Sequence, residues 1–256
     1  MTTDSEHEWQ IEELLHRRTD LSTFVIHWTR DYAGTLAKEN LGNILACQRI
    51  EARTALGVGQ HTLENLHDRA ALSDGDYETS MLSQRVVCFT ETPLEHAWSF
   101  VCNIAGRTYK LQPFGLAFRK KRARQMGINP IWYTDATSAP GRSEDWLSRH
   151  IERLVERAAI SGTPFADDPI AKIAPFVEVM GTWESSRKEF WWEREWLHLG
   201  DLTFSLADVA VVLCRESDMD YIHPYLKSES GRVVPAVDPT WGLEHIISRL
   251  AGAEEE

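Results

Sequence analysis

The stretch Lys188-Glu189-Phe190-Trp191-Trp192-Glu193-Arg194-Glu195-Trp196-Leu197-His198-Leu199 sets three tryptophans beside the carboxylates of Glu193 and Glu195. By type and spacing these residues could do chemistry. On an extended backbone side chains alternate, so Glu193 and Glu195 share one face while Trp192, Arg194 and Trp196 share the other. Two carboxylates roughly 7 Å apart repel by about 2.4 kcal/mol at an effective dielectric of about 20, and by about 0.6 kcal/mol in bulk water. Inside a cleft, such a pair calls for a cationic or hydroxyl-rich ligand. The competing reading leaves the acids on the wet face of an edge strand, or winds them round a helix with Trp192 and Trp196 as an i, i+4 pair. Tryptophan is common where one end of a side chain meets a ligand, and the chain carries ten.

Three other places offer polar groups in an ordered setting. His27 and Thr29 fall on one face of the strand-like run Phe24-Val25-Ile26-His27-Trp28-Thr29, opposite Ile26 and Trp28. Thr90 and Glu91 stand where the strand-like Arg85-Val86-Val87-Cys88-Phe89-Thr90 gives way to Thr92-Pro93-Leu94-Glu95. That tetrapeptide reads as a helix start, with Thr92 as cap, Pro93 at the first position and Glu95 as the capping-box acid. Unpaired N–H groups at such a junction attract anions. The basic cluster Arg119-Lys120-Lys121-Arg122-Ala123-Arg124 could meet the phosphates of a nucleic acid or nucleotide, or form a solvated helix face that offsets nearby acids. Gly57-Val58-Gly59 alone is too short a signal for a phosphate cradle and reads as flexible backbone. No H-x-x-x-H or H-E-x-x-H pattern, nucleophile elbow or Walker loop is present, so no metal is expected.

Composition narrows the partners. With hydrophobic residues at 43% and aromatics at 10%, the 256-residue chain can bury a sizeable core. A formal charge of -12 argues against broad nonspecific binding to nucleic acid. Cys47, Cys88, Cys102 and Cys214 lack metal-ligand spacing, and three lie in apolar runs, which suggests buried free thiols in a reducing compartment. With no span-length apolar run and no signal-peptide core, the expected location is cytoplasmic, away from membranes.

The elements that must position these groups read as mixed α+β. Strands are expected at 24–29, 85–90, 114–118, 130–133 and 209–214, the last unbroken in its apolar character and covered on both faces. A strand starting at Ile50 brings the sheet to about six strands. Helical spacing marks Leu36, Leu41, Ile44 and Leu45; then Leu94, Trp98 and Val101 or Cys102; then Leu147, Ile151, Leu154, Val155 and Ala158. Ile170, Ile173, Phe176, Val177 and Met180 suggest another helix, bent or delimited by Pro175. Asp238-Pro239 opens a last one through Ile246, Ile247 and Leu250. The polar, glycine-punctuated 53–84 reads as a long lid or binding loop, and 134–143 as a Gly/Ser/Pro linker. The expected organisation is a helical extension at 1–20, a single α+β domain at 21–251 with helices flanking a mixed sheet, and an acidic tail at 252–256.

The ordered series His27-Trp28-Thr29, Leu41-x-x-Ile44-Leu45, Val87-Cys88-Phe89-Thr90-Glu91-Thr92-Pro93-Leu94, Phe114-Gly115-Leu116-Ala117-Phe118, Asn129-Pro130-Ile131-Trp132-Tyr133 and Trp192-Glu193-Arg194-Glu195-Trp196 resembles the abortive-infection AbiGi family of bacterial phage-defence proteins. That family carries an antitoxin label and no settled chemistry, so the resemblance implies phage defence and a cognate toxin, antitoxin or phage component as partner. A second resemblance, to ADP-ribosyltransferases, concerns chemistry. Those enzymes order a first-strand His or Arg, a polar Ser/Thr strand and a late Glu often found in an E-x-E pair, as His27, Thr90 and Glu193-x-Glu195 are ordered here. It implies an ADP-ribosyltransferase-like fold and NAD as substrate. His27, with Thr29 beside it, would bind the adenosine side, Thr90 would support the nicotinamide ribose, and Tyr109 or Tyr133 would stack the nicotinamide. Glu195 would hold a ribose hydroxyl and stabilise the oxocarbenium-like transition state, and Glu193 would orient or deprotonate the acceptor. The alternative function is a noncatalytic antitoxin or interaction module.

Overall fold

The computed structural model describes residues 20–103, 111–137, 146–182, 187–228 and 231–252. The expected N-terminal helix, the acidic tail and Tyr109 lie outside them. In chain order the elements are β1 (Phe24–Trp28), α1 (Ala37–Cys47), β2 (Arg49–Ile50), β3 (Thr54–Ala55), α2 (Gly57–Asp68), α3 (Asp74–Ser83), β4 (Arg85–Thr90), α4 (Trp98–Val101), β5 (Gly115–Arg119), α5 (Lys120–Gln125), β6 (Asn129–Pro130) and β7 (Trp132–Asp135). There follow α6 (Trp146–Ala159), α7 (Pro169–Ile173), β8 (Val177–Thr182), β9 (Arg187–Lys188), β10 (Glu195–Leu199), β11 (Leu202–Thr203), β12 (Val209–Leu213), α8 (Met219–Ile222), β13 (Ala236–Val237) and α9 (Leu243–Ala251).

The fold is α+β around a mixed sheet of eight strands ordered β13-β12-β5-β1-β4-β10-β6, with β3 also paired to β4. Its pairs are antiparallel except β12 with β13. The main sheet alone exceeds the six strands read from apolar runs, because its two-residue members β3, β6 and β13 carry no periodicity, and two small sheets, β11-β2 and β7-β8-β9, add further strands. Alternation sends Val25, Val87, Phe89, Leu116, Phe118 and Val212 into one core and Ile26, Trp28, Ala117, Val211 and Leu213 into another on the opposite face. β12 is therefore covered on both faces, as its unbroken apolar run requires, although it lies one strand in from the edge.

The expected long loop at 53–84 is instead β3 followed by helices α2 and α3. Val58, Leu63 and Leu66 of α2 pack with Ile151 and Val155 of α6 in a third, largely helical core. The polar residues that suggested a loop are the outer faces of these helices. Gly57 is close packing rather than flexible backbone: its φ is +79°, and a Cβ there would lie 2.6 Å from the Ala174 carbonyl oxygen.

Other expectations shift for comparable reasons. The helix expected through Met180 stops at Ile173, and the Ala174–Phe176 turn containing Pro175 leads into β8, whose Val177 and Met180 are strand residues. The helix expected from Thr92 is a short 3-10 turn, Leu94–His96, then the four-residue α4, and no side chain caps either. Its buried residues are Ala97 and Phe100; Trp98 and Cys102 are exposed. Of the four cysteines only Cys214 is buried. Thr134 and Asp135, expected in a linker, end β7. In the last helix only Ile246 is buried, with Ile247 and Leu250 exposed.

Candidate active site

The sheet opens between β1 and β4. β1 matches β5 over five residue pairs, and β4 matches β10 over five, whereas β1 and β4 meet at one, Ile26 with Thr90. β3 takes up the vacated edge of β4, pairing Thr54 with Val86. A buried backbone acceptor left by such a split needs another partner. His27 supplies it: its Nδ1 lies 2.9 Å from the Cys88 carbonyl oxygen. A cavity of about 520 Å³ occupies the opening.

His27, Thr29, Thr90, Glu193 and Glu195 all line this cavity. Thr90 and Glu195 are cross-strand partners, so their Cα atoms stand within about 5.5 Å. The indole Nε1 of Trp28 donates to the Thr90 hydroxyl at 3.1 Å. Thr29 lines the cavity while its hydroxyl donates to the carbonyls of Ala37 and Phe114, at 2.9 and 3.2 Å, bracing the chain where β1 ends. Burial drives the His27 pKa down from 6.5 to about 4, against the upward pull of its hydrogen bond to Cys88, with Arg53 and Arg30 depressing it further. A neutral ring bonded through Nδ1–H keeps its Nε2 lone pair as an acceptor.

The two acids arrive differently from the extended-strand expectation. Trp191–Glu193 is a 3-10 turn, Arg194 is left-handed with φ 46°, and β10 begins at Glu195. One left-handed residue between them lets both carboxylates border one cavity without strand alternation. The same kink separates the tryptophans: Trp196 is buried, while Trp192 is 42% exposed and lies 5.0 Å from the Phe100 ring. Tyr133 stands behind the acids, outside the cavity lining. Its hydroxyl accepts the Glu195 backbone N–H at 2.9 Å and its ring meets Trp191 edge-on. Burial and the nearby Glu195 hold its phenol well above the ordinary tyrosine range.

The cavity wall adds residues that sequence periodicity did not single out: Arg30, Tyr32, Arg49, Arg53, Glu178, Lys188 and Phe190. Most come from short connections and two-residue strands, where no repeat can show, and Glu178 from β8, which the sequence reads as part of a helix. Arg53 and Arg30 act on His27, whereas Glu195, Glu193 and Glu178 act on Tyr133. Arg53 also lies over the Tyr32 ring at 4.6 Å and pairs with Glu51; Lys188 pairs with the buried Glu178. The lining thus carries both signs, in part as these ion pairs.

The basic cluster at the end of β5 and along α5 is mostly exposed. Lys120 alone is buried, 2.6 Å from Glu91; Arg119, Lys121, Arg122 and Arg124 are exposed, with Arg122 paired to Asp208 at 2.7 Å and Arg124 over the Trp196 ring.

No family model and no curated protein matches the chain, so the resemblance to the AbiGi family rests on the residue series alone. Among solved structures, Thermus sp. 2.9 DarT in complex with ADP-ribosylated ssDNA aligns at 14% identity over 84% of this chain and 93% of that one, with a TM-score of 0.32. At that score the likeness assigns neither fold nor function. Among the described residues no helix is long and apolar enough to cross a membrane.

Proposed function

We propose that the protein is an ADP-ribosyltransferase-like enzyme that moves ADP-ribose from NAD to a protein or nucleic-acid acceptor. The observation supporting this reading is the meeting of His27, Thr90, Glu193 and Glu195 on one cavity. Its volume of about 520 Å³ falls in the range of small-molecule sites, about 300–1,000 Å³. NAD is itself polarised, with an anionic diphosphate and a cationic nicotinamide ring. Arg30 and Arg53 in the lining suit the first, and Glu193 and Glu195 the second.

In this reading neutral His27 accepts a ribose hydroxyl at Nε2 on the adenosine side. Thr90, held by Trp28, supports the nicotinamide ribose. Tyr133 lies outside the lining, so Phe190, which borders the cavity near the acids, is the better candidate to pack on nicotinamide. When NAD is bound, its glycosidic bond to nicotinamide breaks with the electron pair leaving on the ring nitrogen, and the acceptor bonds at the freed sugar carbon. Glu195 binds a ribose hydroxyl and places fixed negative charge beside the developing cation, as in glycoside cleavage. Glu193 takes the acceptor's proton. The AbiGi-like residue series adds the setting, bacterial phage defence.

Nicotinamide release from NAD, measured with and without protein and nucleic-acid acceptors, tests the reading. Release at the background rate, with no heat of NAD binding in calorimetry, would overturn it. A stoichiometric protein partner whose binding survives Glu195→Ala would then favour the noncatalytic module.

A further inference from the structure

The sequence readings attach no role to Glu91, although it is among the most enclosed charges in the protein. It follows Thr90 at the end of β4, so alternation turns it away from the cavity that Thr90 lines. Its side chain is 4% exposed. Lys120 Nζ lies 2.6 Å from one carboxylate oxygen and Arg194 Nη2 3.1 Å from the same oxygen, while Trp196 Nε1 donates to the other at 2.9 Å. Its backbone N–H donates to the Arg194 carbonyl at 3.1 Å. Glu91 thus grips Arg194 at both side chain and backbone, and holds Trp196 as well.

Arg194 is the residue between the two cavity acids, and its left-handed conformation is costly for any residue with a Cβ, by about 1–2 kcal/mol. Something must make that conformation worth adopting. We propose that Glu91 is a positioning residue: by clamping Arg194 in the left-handed conformation it directs Glu193 and Glu195 together into the cavity. The catalytic consequence rests on the transferase reading; the clamp itself does not. Lys120 completes the device, since the same Glu91 carboxylate oxygen forms ion pairs with both Arg194 and Lys120. Burial lowers the Lys120 pKa while Glu91 raises it, which is the balance expected of a desolvated ammonium held by its partner.

Removing Glu91 would leave two cations face to face and could unfold the chain, so the decisive variants are at Arg194. Arg194→Ala loses the side-chain grip and still carries the cost of the left-handed backbone. Arg194→Gly loses the grip and adopts that backbone freely. The expected result is a fall in nicotinamide-release kcat of about 5- to 30-fold for Arg194→Ala, the equivalent of that backbone cost, with KM for NAD moved less than about threefold. Arg194→Gly should remain within about threefold of wild type in both. The clamp also has a readout independent of activity: hydrogen exchange at the Glu91 amide should be protected in wild type and Arg194→Gly and exposed in Arg194→Ala. Equal exchange in the two variants, or equal loss of kcat in both, would overturn the proposal. If wild-type protein releases no nicotinamide, the transferase reading fails, and the exchange pattern alone decides the clamp.

Discussion

Replacing Glu195 by Gln keeps the side chain's size and much of its hydrogen bonding while deleting its charge, so the loss reports the electrostatic role directly. A carboxylate about 4 Å from a developing unit of positive charge contributes about 4 kcal/mol at an effective dielectric of about 20, and about 1 kcal/mol if water surrounds it. Those limits correspond to about a thousandfold and about a fivefold loss in kcat. The surroundings favour the first: Glu195 is half-buried at the start of β10, one strand in from the sheet edge, opposite buried Thr90 and backed by Tyr133. The assay is nicotinamide release at saturating NAD, alongside circular dichroism and a thermal melt to confirm an unchanged fold. The expected outcome is a kcat lower by two to three orders of magnitude with a melting temperature near wild type. A loss below about fivefold in a folded variant would refute the reasoning, because the carboxylate would then be acting through water or not at all.

Three further outcomes follow from the geometry around the cavity. His27 titrates near 4 in the folded chain and near 6.5 when unfolded, so the unfolded state takes the proton first and stability falls as pH drops through that window. Denaturant unfolding should show wild type losing about 2 kcal/mol more than His27→Asn between pH 7 and pH 5, the share of the shift completed over that interval; parallel losses would rule out the buried neutral ring. Tyr133→Phe strands the Glu195 backbone N–H and should cost about 1–3 kcal/mol in denaturant unfolding, with a smaller drop in kcat than Glu195→Gln; an unchanged midpoint would mean another acceptor replaces the phenol. Gly57→Ala combines a left-handed backbone with a Cβ 2.6 Å from a carbonyl oxygen, so it should lower stability by about 2–5 kcal/mol; a melt within a degree or two of wild type would show that the α2 start can move aside.

The local patterns carried most of the main sheet and little of its surroundings. Alternation in Phe24-Val25-Ile26-His27-Trp28 and the apolar runs around Val87, Leu116 and Val212 marked strands because each buries side chains on two faces. The 53–84 segment misled because α2 and α3 bury narrow stripes against α6 and α7 while their polar faces dominate the composition. Glycine there signalled a loop, yet Gly57 owes its identity to the crowded carbonyls of Ala174, Pro175 and Val177, contacts that no local window contains. The two acids are recognisable as a pair in the sequence, but a single left-handed Arg194 rather than a continuous strand sets them side by side.

By itself the sequence determined which segments bury apolar faces, and it put His27, Thr90, Glu193 and Glu195 in an order that suggested one chemistry. Tertiary structure alone decided that these groups share a cavity. The opening exists because β3 competes for the edge of β4 just where β1 departs, and the acids turn into it because Glu91 holds Arg194 across the sheet. Both are choices between nearly equivalent local conformations, settled by partners far away in the chain, so their cause lies outside any stretch short enough to be read for periodicity.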